Sequence, residues 1–314
     1  MSNILSLGCH TSIAWGIQNA RKDAHALGAT TCQIFTKSPR SFSVPSFDSD
    51  YLLSLLPQKT TYKQQGGIVH SNYLANLSKP RDQIPADIAW IIYDIKVGAT
   101  LGFDCVNVHI WKGKDTTIDQ AMSNMARNVE YILEQTQWYS IQYCFENTAG
   151  QGSELGSTLN EISMLYNDYL KDLGVKFVID TAHCQWWGID CNKRDEFVEE
   201  FDHRIGIDKI YALHLNDSKA ILGAKLDRHA PLGKWCIWLP GLSKVIKRAS
   251  DNNRTMILET PDMSIRPDEL IMVSDIIKGE FDIDWFHRQY YMTDILKKFE
   301  ELKSENGGGQ WLFG

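Results

Sequence analysis

No uninterrupted apolar stretch in this chain approaches the roughly 18 residues that a membrane-spanning helix needs, so a membrane protein of that kind is excluded. The sequence has no CxxC pair. Its seven cysteines, at positions 9, 32, 105, 144, 184, 191 and 236, are odd in number and far apart. That excludes a disulfide framework and reads as reduced thiols with the usual burial of free cysteine. Met1 to Cys9 has no basic region and no cleavage site, and reads as a strand instead of a signal peptide. The expectation is an intracellular protein of cytoplasm or nucleus, not a secreted one, with no membrane partner. Positive charge is also scarce: 32 Lys and Arg against 39 Asp and Glu leave a net charge of −7. This argues against a generic polyanion binder, although it permits a local basic patch. What remains is ordinary globular material. The 314 residues, 43% hydrophobic and 23% charged, suffice for a full core.

Short apolar runs recur along the chain. They are Ile4–His10, Cys32–Lys37, Gly67–Ser71, Cys105–Ile110, Tyr143–Thr148, Lys176–Thr181, Ile210–Asn216 and Thr255–Thr260. Most are near-continuous, as strands covered on both faces are. Helical periodicity fills the intervals. Trp15–Leu27 puts Ile17, Ala20, Ala24 and Leu27 on one face; Ala86–Leu101, Ile118–Thr136, Leu159–Leu173, Arg194–Ile205 and Leu242–Ala249 behave alike. Strand–helix alternation implies a parallel sheet, and eight strands close a barrel. No Pro/Gly-rich linker interrupts the series. The predicted architecture is a single (β/α)8 TIM barrel over residues 1–276, with a C-terminal helical extension and tail over 277–314. The tail, with Gly307–Gly309 ahead of Trp311-Leu312-Phe313, reads as a packed helix with a frayed end or as a peptide that docks on a protein partner.

In such barrels chemistry sits at the C-terminal ends of the strands. There the runs carry His10, His70, His109, Glu146, Asp180 with His183, His214, then Asp227 and His229 in the next loop, and Glu259. Six of the nine histidines fall in this set; His25, His203 and His287 lie in helical segments. Each alone is explained by ordinary hydrogen bonding. Five histidines and four carboxylates together (His70, His109, Glu146, Asp180, His183, His214, Asp227, His229, Glu259) would be very costly at one barrel mouth without counter-charge. Divalent metal supplies it. The imidazole–carboxylate mixture favours zinc, or a borderline ion such as Mn or Fe, over Mg. Nine donors are too many for one ion. Three each for three ions leave an open position per ion, and clustered ions suit phosphoryl chemistry.

The loops at that end differ from the rest of the chain. Residues 37–47, 70–81, 111–114 and 218–234 hold ten basic residues: Lys37, Arg40, Lys79, Arg81, Lys112, Lys114, Lys219, Lys225, Arg228 and Lys234. Their one acid is Asp227. Three divalent ions would bring −7 to −1. A basic rim around metal ions is what a nucleic-acid backbone requires. Tyr73, Arg40, Trp111 and the Trp186-Trp187 pair project from the same loops, and aromatic and guanidinium groups suit the filling of space in a bent duplex.

Several segments resemble the endonuclease IV family of apurinic/apyrimidinic (AP) endonucleases. They are Phe145-Glu146-Asn147-Thr148-Ala149-Gly150-Gln151-Gly152-Ser153, Ile179-Asp180-Thr181-Ala182-His183, Leu213-His214-Leu215-Asn216-Asp217-Ser218-Lys219 with Asp227-Arg228-His229, and Ile257-Leu258-Glu259-Thr260. Val69-His70, Tyr73-Leu74 and Val108-His109 complete the set, and the likeness covers about residues 3–275. It implies three Zn2+ ions per chain, with Mn2+ an alternative at some sites. His70, His109 and Glu146 would hold the first. Glu146 would bridge to the second, which Asp180, His214 and Glu259 complete. His183, Asp227 and His229 would hold the third. Glu146 and Glu259 would thus be the carboxylates nearest the chemistry. The implied reaction is hydrolysis of the phosphodiester 5′ to an abasic site in double-stranded DNA, leaving a 3′-hydroxyl and a 5′-deoxyribose phosphate, with 3′-end repair as an accompanying activity.

Arg40 and Tyr73 would enter the minor groove, with Lys37 and Arg228 as further DNA contacts, and the family implies a monomer. Departures from the family pattern fall in the residues after His109, Ile110-Trp111-Lys112, at Leu232-Gly233-Lys234-Trp235 and at Ser41; none touches a candidate ligand. The alternative reading is a metal-dependent sugar isomerase or epimerase on the same barrel, for which the third donor group is superfluous. A damage-binding protein without catalysis would require a lost donor, and none is lost.

Overall fold

The structure is a computed structural model that describes residues 5–289, apart from 42, 111–115, 151–153, 187, 193–195 and 226. The expectations placed on Trp111, Lys112, Lys114, Trp187 and the tail beyond residue 289 lie outside the described residues.

Eight parallel strands close into a barrel: β1 (Leu7–His10), β2 (Thr31–Ile34), β3 (Ile68–His70), β4 (Cys105–His109), β5 (Gln142–Glu146), β6 (Lys176–Asp180), β7 (Ile210–Leu215) and β8 (Thr255–Leu258). Each pairs with its sequence neighbours, and β8 pairs with β1 to close the ring. Around them run α1 (Ala20–Ala26), α2 (Ser49–Leu55), α3 (Pro85–Thr100), α4 (Ile118–Gln135), α5 (Leu159–Leu165), α6 (Glu196–Arg204), α7 (Leu239–Asp251) and α8 (Arg266–Lys278). This is the expected TIM barrel. The helices α2 and α8 were not among the periodic segments read from sequence. The expected single helix over 159–173 widens into a π-type turn at Tyr166–Leu170 and tightens at Lys171–Leu173.

Sequence signals explain the boundaries. Thr117 and Thr158 cap α4 and α5, each with reciprocal bonding from the residue three further on, Gln120 and Glu161. Pro85 opens α3 where a backbone N–H has no helical partner. Gly8 on β1 stands opposite Thr31 on β2, and a Cβ there would lie 2.0 Å from the Thr31 carbonyl oxygen. Only glycine permits those two strands to pair so closely.

The main core lies between strands and helices and includes Val106, Val108, Phe145, Phe177, Ile179, Ile91, Met122 and Leu242. A second, smaller core fills the barrel itself: Ile68, Cys105, Cys144, Val178, Ala212 and Ile257. Side chains two residues apart on a strand share a face. Each of these apolar residues therefore points the same way as the residue two positions on, and those are His70, Asn107, Glu146, Asp180, His214 and Glu259. The strands carry an apolar floor and, one step up, a polar mouth. Beyond α8, residues 283–289 are helical; Phe286 is buried with the Phe281 ring 5.6 Å from its own, and Ile283 packs against the main core. All seven cysteines are free thiols, and six of them are buried. Among the described residues no helix is long and apolar enough to cross a membrane.

Candidate metal centre

At the C-terminal mouth, donor atoms gather into three groups. The first is His70, His109 and Glu146; another is Glu146, Asp180, His214 and Glu259; the last is Asp180, His183 and His229. Within each, the atoms lie within 4.8 Å of one another. The groups are linked, since Glu146 and Asp180 each belong to two of them. Eight of the nine residues singled out from sequence are thus gathered. Asp227 joins less tightly, its carboxylate 3.6 Å from His229 Nε2 and 3.8 Å from His183 Nε2, with the side chain 48% exposed.

The first group has the dimensions of a coordination face. His70 Nε2 lies 3.2 Å from His109 Nε2, and Glu146 Oε2 lies 3.2 and 3.3 Å from the two imidazoles. Adjacent donors around a tetrahedral zinc with bonds near 2.1 Å would be about 3.4 Å apart. Proton placement points the same way. His70 Nδ1 donates to the Ser71 carbonyl at 2.6 Å, so the neutral ring turns a lone pair on Nε2 toward the Glu146 carboxylate. Two acceptors face each other there, an arrangement satisfied by a proton on His70, whose pKa burial would lower but the Glu146 carboxylate raises, or by a metal cation between them. His183 is held in the same manner by its Nδ1 on the Asn147 carbonyl, 2.8 Å away. In the last group, His229 Nε2 is buried with no hydrogen-bond partner and stands 3.6 Å from Asp180 Oδ2. An orphaned imidazole nitrogen facing a carboxylate fits a ligand position. The residues present therefore fit divalent metal.

The middle group is the most buried. His214 Nδ1 is 2.9 Å from Glu146 Oε1, 3.3 Å from Glu259 Oε2 and 3.9 Å from Asp180 Oδ2. Without metal, the charges must balance among themselves. Burial alone would lower the His214 pKa, but the Glu146 and Glu259 carboxylates outweigh it and hold the ring up at about 9. His183 is raised well above its usual range, burial being overcome by Asp180 and Asp227. Burial dominates at His109, which is lowered to about 4. Glu146 and Glu259 go the other way. Burial would raise them, and the surrounding imidazoles, His214 first, pull both well below the ordinary carboxylate range.

Amide side chains complete the site, and sequence reading missed them. Asn107 donates to Glu146 Oε2 at 2.5 Å; Asn216 donates to Asp180 Oδ2 at 2.7 Å and to Glu259 Oε2 at 3.1 Å. Asn147 accepts from the Asp180 backbone N–H at 2.7 Å. Gln33 touches both His214 and Glu259. Asn107 sits at the inward step of β4 between Cys105 and His109, so strand alternation was the signal that could have found it.

The basic rim divides. Arg40, Lys79, Arg81, Lys219, Lys225, Arg228 and Lys234 are exposed. Lys37 is not: its side chain is 4% exposed and its ammonium binds Asp94 of α3 at 2.6 Å, beside the Trp90 and Tyr93 rings. The expected DNA contact at Lys37 is corrected to a buried ion pair. Asp94 also accepts from Thr36 and, at 2.8 Å, from Ser71, so it ties the β2 and β3 loops to α3. Tyr73 is 42% exposed, its ring 5.5 Å from that of His70 and 5.8 Å from that of His109. Burial, then the Glu259 and Glu146 charges, raise its hydroxyl pKa. Trp186 is fully buried rather than projecting; it bonds Ser218 and stacks on His229 with ring centroids 5.7 Å apart.

Comparison with known proteins places the chain among relatives. The xylose isomerase-like TIM barrel family matches residues 21–277. A protein of Thermoplasma volcanium called "Probable endonuclease 4" is 30% identical over 257 residues, 81% of this chain and 89% of the relative. The crystal structure of endonuclease IV from Thermus thermophilus superposes with a TM-score of 0.73 at 27% identity, over 88% of this chain and 98% of that one. A D-tagatose 3-epimerase-like protein superposes at TM-score 0.67 with 16% identity, over 87% and 98% of the two chains. At that identity the likeness is one of fold alone.

Proposed function

The chain belongs to the endonuclease IV family, and from that premise we propose that it is a metal-dependent AP endonuclease of DNA base excision repair. It would hydrolyse the phosphodiester 5′ to an abasic site in duplex DNA, as a monomer, giving a 3′-hydroxyl and a 5′-deoxyribose phosphate. The observation that carries this reading is the linkage of three donor groups through the shared carboxylates Glu146 and Asp180. A contiguous run of sites suits a phosphate diester, whose attacking and leaving oxygens both need charge compensation. A sugar isomerase would have no use for the group of His183 and His229.

His70, His109 and Glu146 would hold one ion. Glu146, Asp180, His214 and Glu259 would hold a second. His183 and His229, with Asp227 or Asp180, would hold a third. Zinc is the expected metal, with Mn2+ an alternative. When bound, such ions acidify water and compensate charge on phosphate oxygens. The chain's residues do the rest. The hydrogen bonds on His70 and His183 keep lone pairs aimed inward, and Asn107 and Asn216 orient the carboxylates. Tyr73 and Arg40 at the rim would occupy the space vacated by the displaced nucleotide, and the exposed lysines and arginines would follow the backbone.

The test is a duplex with one abasic site beside an undamaged control, with product ends mapped. Nicking 5′ to the lesion, with a 3′-hydroxyl, is expected; extension from that nick and removal of 3′-blocking groups would add the repair activity. Epimerisation of a free ketohexose without nicking would establish the sugar reading instead.

A further inference from the structure

Gln33 is left out of the ligand assignment, yet its side chain bridges three others at the mouth, His10, His214 and Glu259. It is fully buried on β2, level with His10 of β1. Its Nε2 lies 2.6 Å from Glu259 Oε1 and 3.0 Å from His10 Nδ1. Its Oε1 lies 2.8 Å from His214 Nε2. The amide can be placed only one way. With the oxygen toward Glu259, two acceptors would oppose each other, so the NH2 faces Glu259 and the carbonyl faces His214. The second N–H then goes to His10 Nδ1. His214 must therefore donate from Nε2, which leaves Nδ1 as the nitrogen that faces Glu146, Glu259 and Asp180.

We propose that Gln33 is a positioning residue for the shared middle site: its amide selects the Nε2–H form of His214 and ties that ring to Glu259, so that His214 Nδ1 and the Glu259 carboxylate are presented together. A histidine ligand needs its other nitrogen anchored by an acceptor. Here the anchor is a neutral amide in place of a carbonyl or carboxylate, and the same amide holds a second donor residue. Without it, the His214 Nε2–H would be buried and unpaired. The ring could then carry its proton on Nδ1, where it opposes a cation.

This inference rests on the metal-site reading above, and its test separates the two. In uniformly 15N-labelled, zinc-loaded protein, ring-nitrogen shifts should show His214 protonated at Nε2 and coordinated through Nδ1. A proton on His214 Nδ1 would overturn the proposal whatever any variant does. Gln33→Met keeps length and apolar volume but removes the amide. In competition with a chelator it should lose one zinc per chain about 10–100-fold more readily than wild type, with the other zincs unmoved. Its cobalt-substituted spectrum should change, and kcat should fall with KM for the abasic duplex little altered. A folded Gln33→Met protein with wild-type zinc retention and an unchanged cobalt spectrum would refute the role of Gln33 alone. Wild-type protein that retains no zinc would refute the metal-site reading and this inference with it.

Discussion

Ile68 and His70 stand two residues apart on β3 and face the same interior, yet they belong to different materials. Ile68 joins Cys105, Cys144, Val178, Ala212 and Ile257 in an apolar plug. His70 belongs to a group of imidazoles and a carboxylate whose donor atoms lie within 4.8 Å of one another. Six strands make the same transition over two residues. The plug is what allows the mouth to exist. It seals the barrel below, so the imidazoles and carboxylates above it sit on a rigid, dry base. The costs of burial are confined to one layer, where metal can offset them.

That division predicts distinct failures for substitutions one step apart. Glu259→Gln removes ligand charge at the mouth. Incision of an abasic duplex should fall by about 1,000-fold or more, since metal stabilisation of the transition state is worth several kcal/mol, while thermal unfolding stays cooperative. Near-wild-type turnover by this variant would erase the distinction between the layers.

Lys37→Met tests the boundary. Asp94 would be left buried without its counter-charge, and stability should drop by about 3–5 kcal/mol. The salt dependence of DNA binding should stay as in wild type. A reduced salt slope would restore Lys37 to the rim.

Ile257→Ala, two residues below Glu259, should cost about 2–5 kcal/mol through the cavity it opens. Zinc content and incision at low temperature should persist. Loss of metal without loss of stability would show that the floor takes part in the site.

Acid–base behaviour sharpens the same contrast. In metal-free protein His214 is held at about 9 by the adjoining carboxylates, above its unfolded value near 6.5. Its contribution to stability is full below the unfolded pKa and disappears as pH rises from 6.5 through 9. Metal must displace that proton. Zinc uptake near pH 7.5 should therefore release protons, seen as a dependence of calorimetric heat on the ionisation enthalpy of the buffer. Proton-neutral uptake would contradict the coupling. The smallest effect is expected at the rim, where Arg40→Ala should lower the log–log salt slope of duplex binding by about 0.9 if its one phosphate contact is lost.

The strands were legible because burial on both faces leaves unbroken apolar runs, and the strand-end histidines and acids were legible because few other residues explain them. Helices α2 and α8 were harder. Both are short or mixed in polarity, with Asp48 capping the first and Pro267 near the start of the second. Lys37 looks like any loop lysine until the fold brings Asp94 to it from 57 residues away. Gln33, Asn107 and Asn216 carry no charge and form no motif by themselves. Their importance follows from what stands opposite them on neighbouring strands.

The most direct test of the account is incision by protein stripped with a strong chelator and then titrated with zinc, in magnesium-free buffer, on a duplex with a single abasic site. The account predicts no cleavage by stripped protein and full recovery only as the linked donor groups fill, with the nick 5′ to the lesion. Full cleavage by metal-free protein, or a folded zinc-replete protein that leaves the duplex intact, would contradict it.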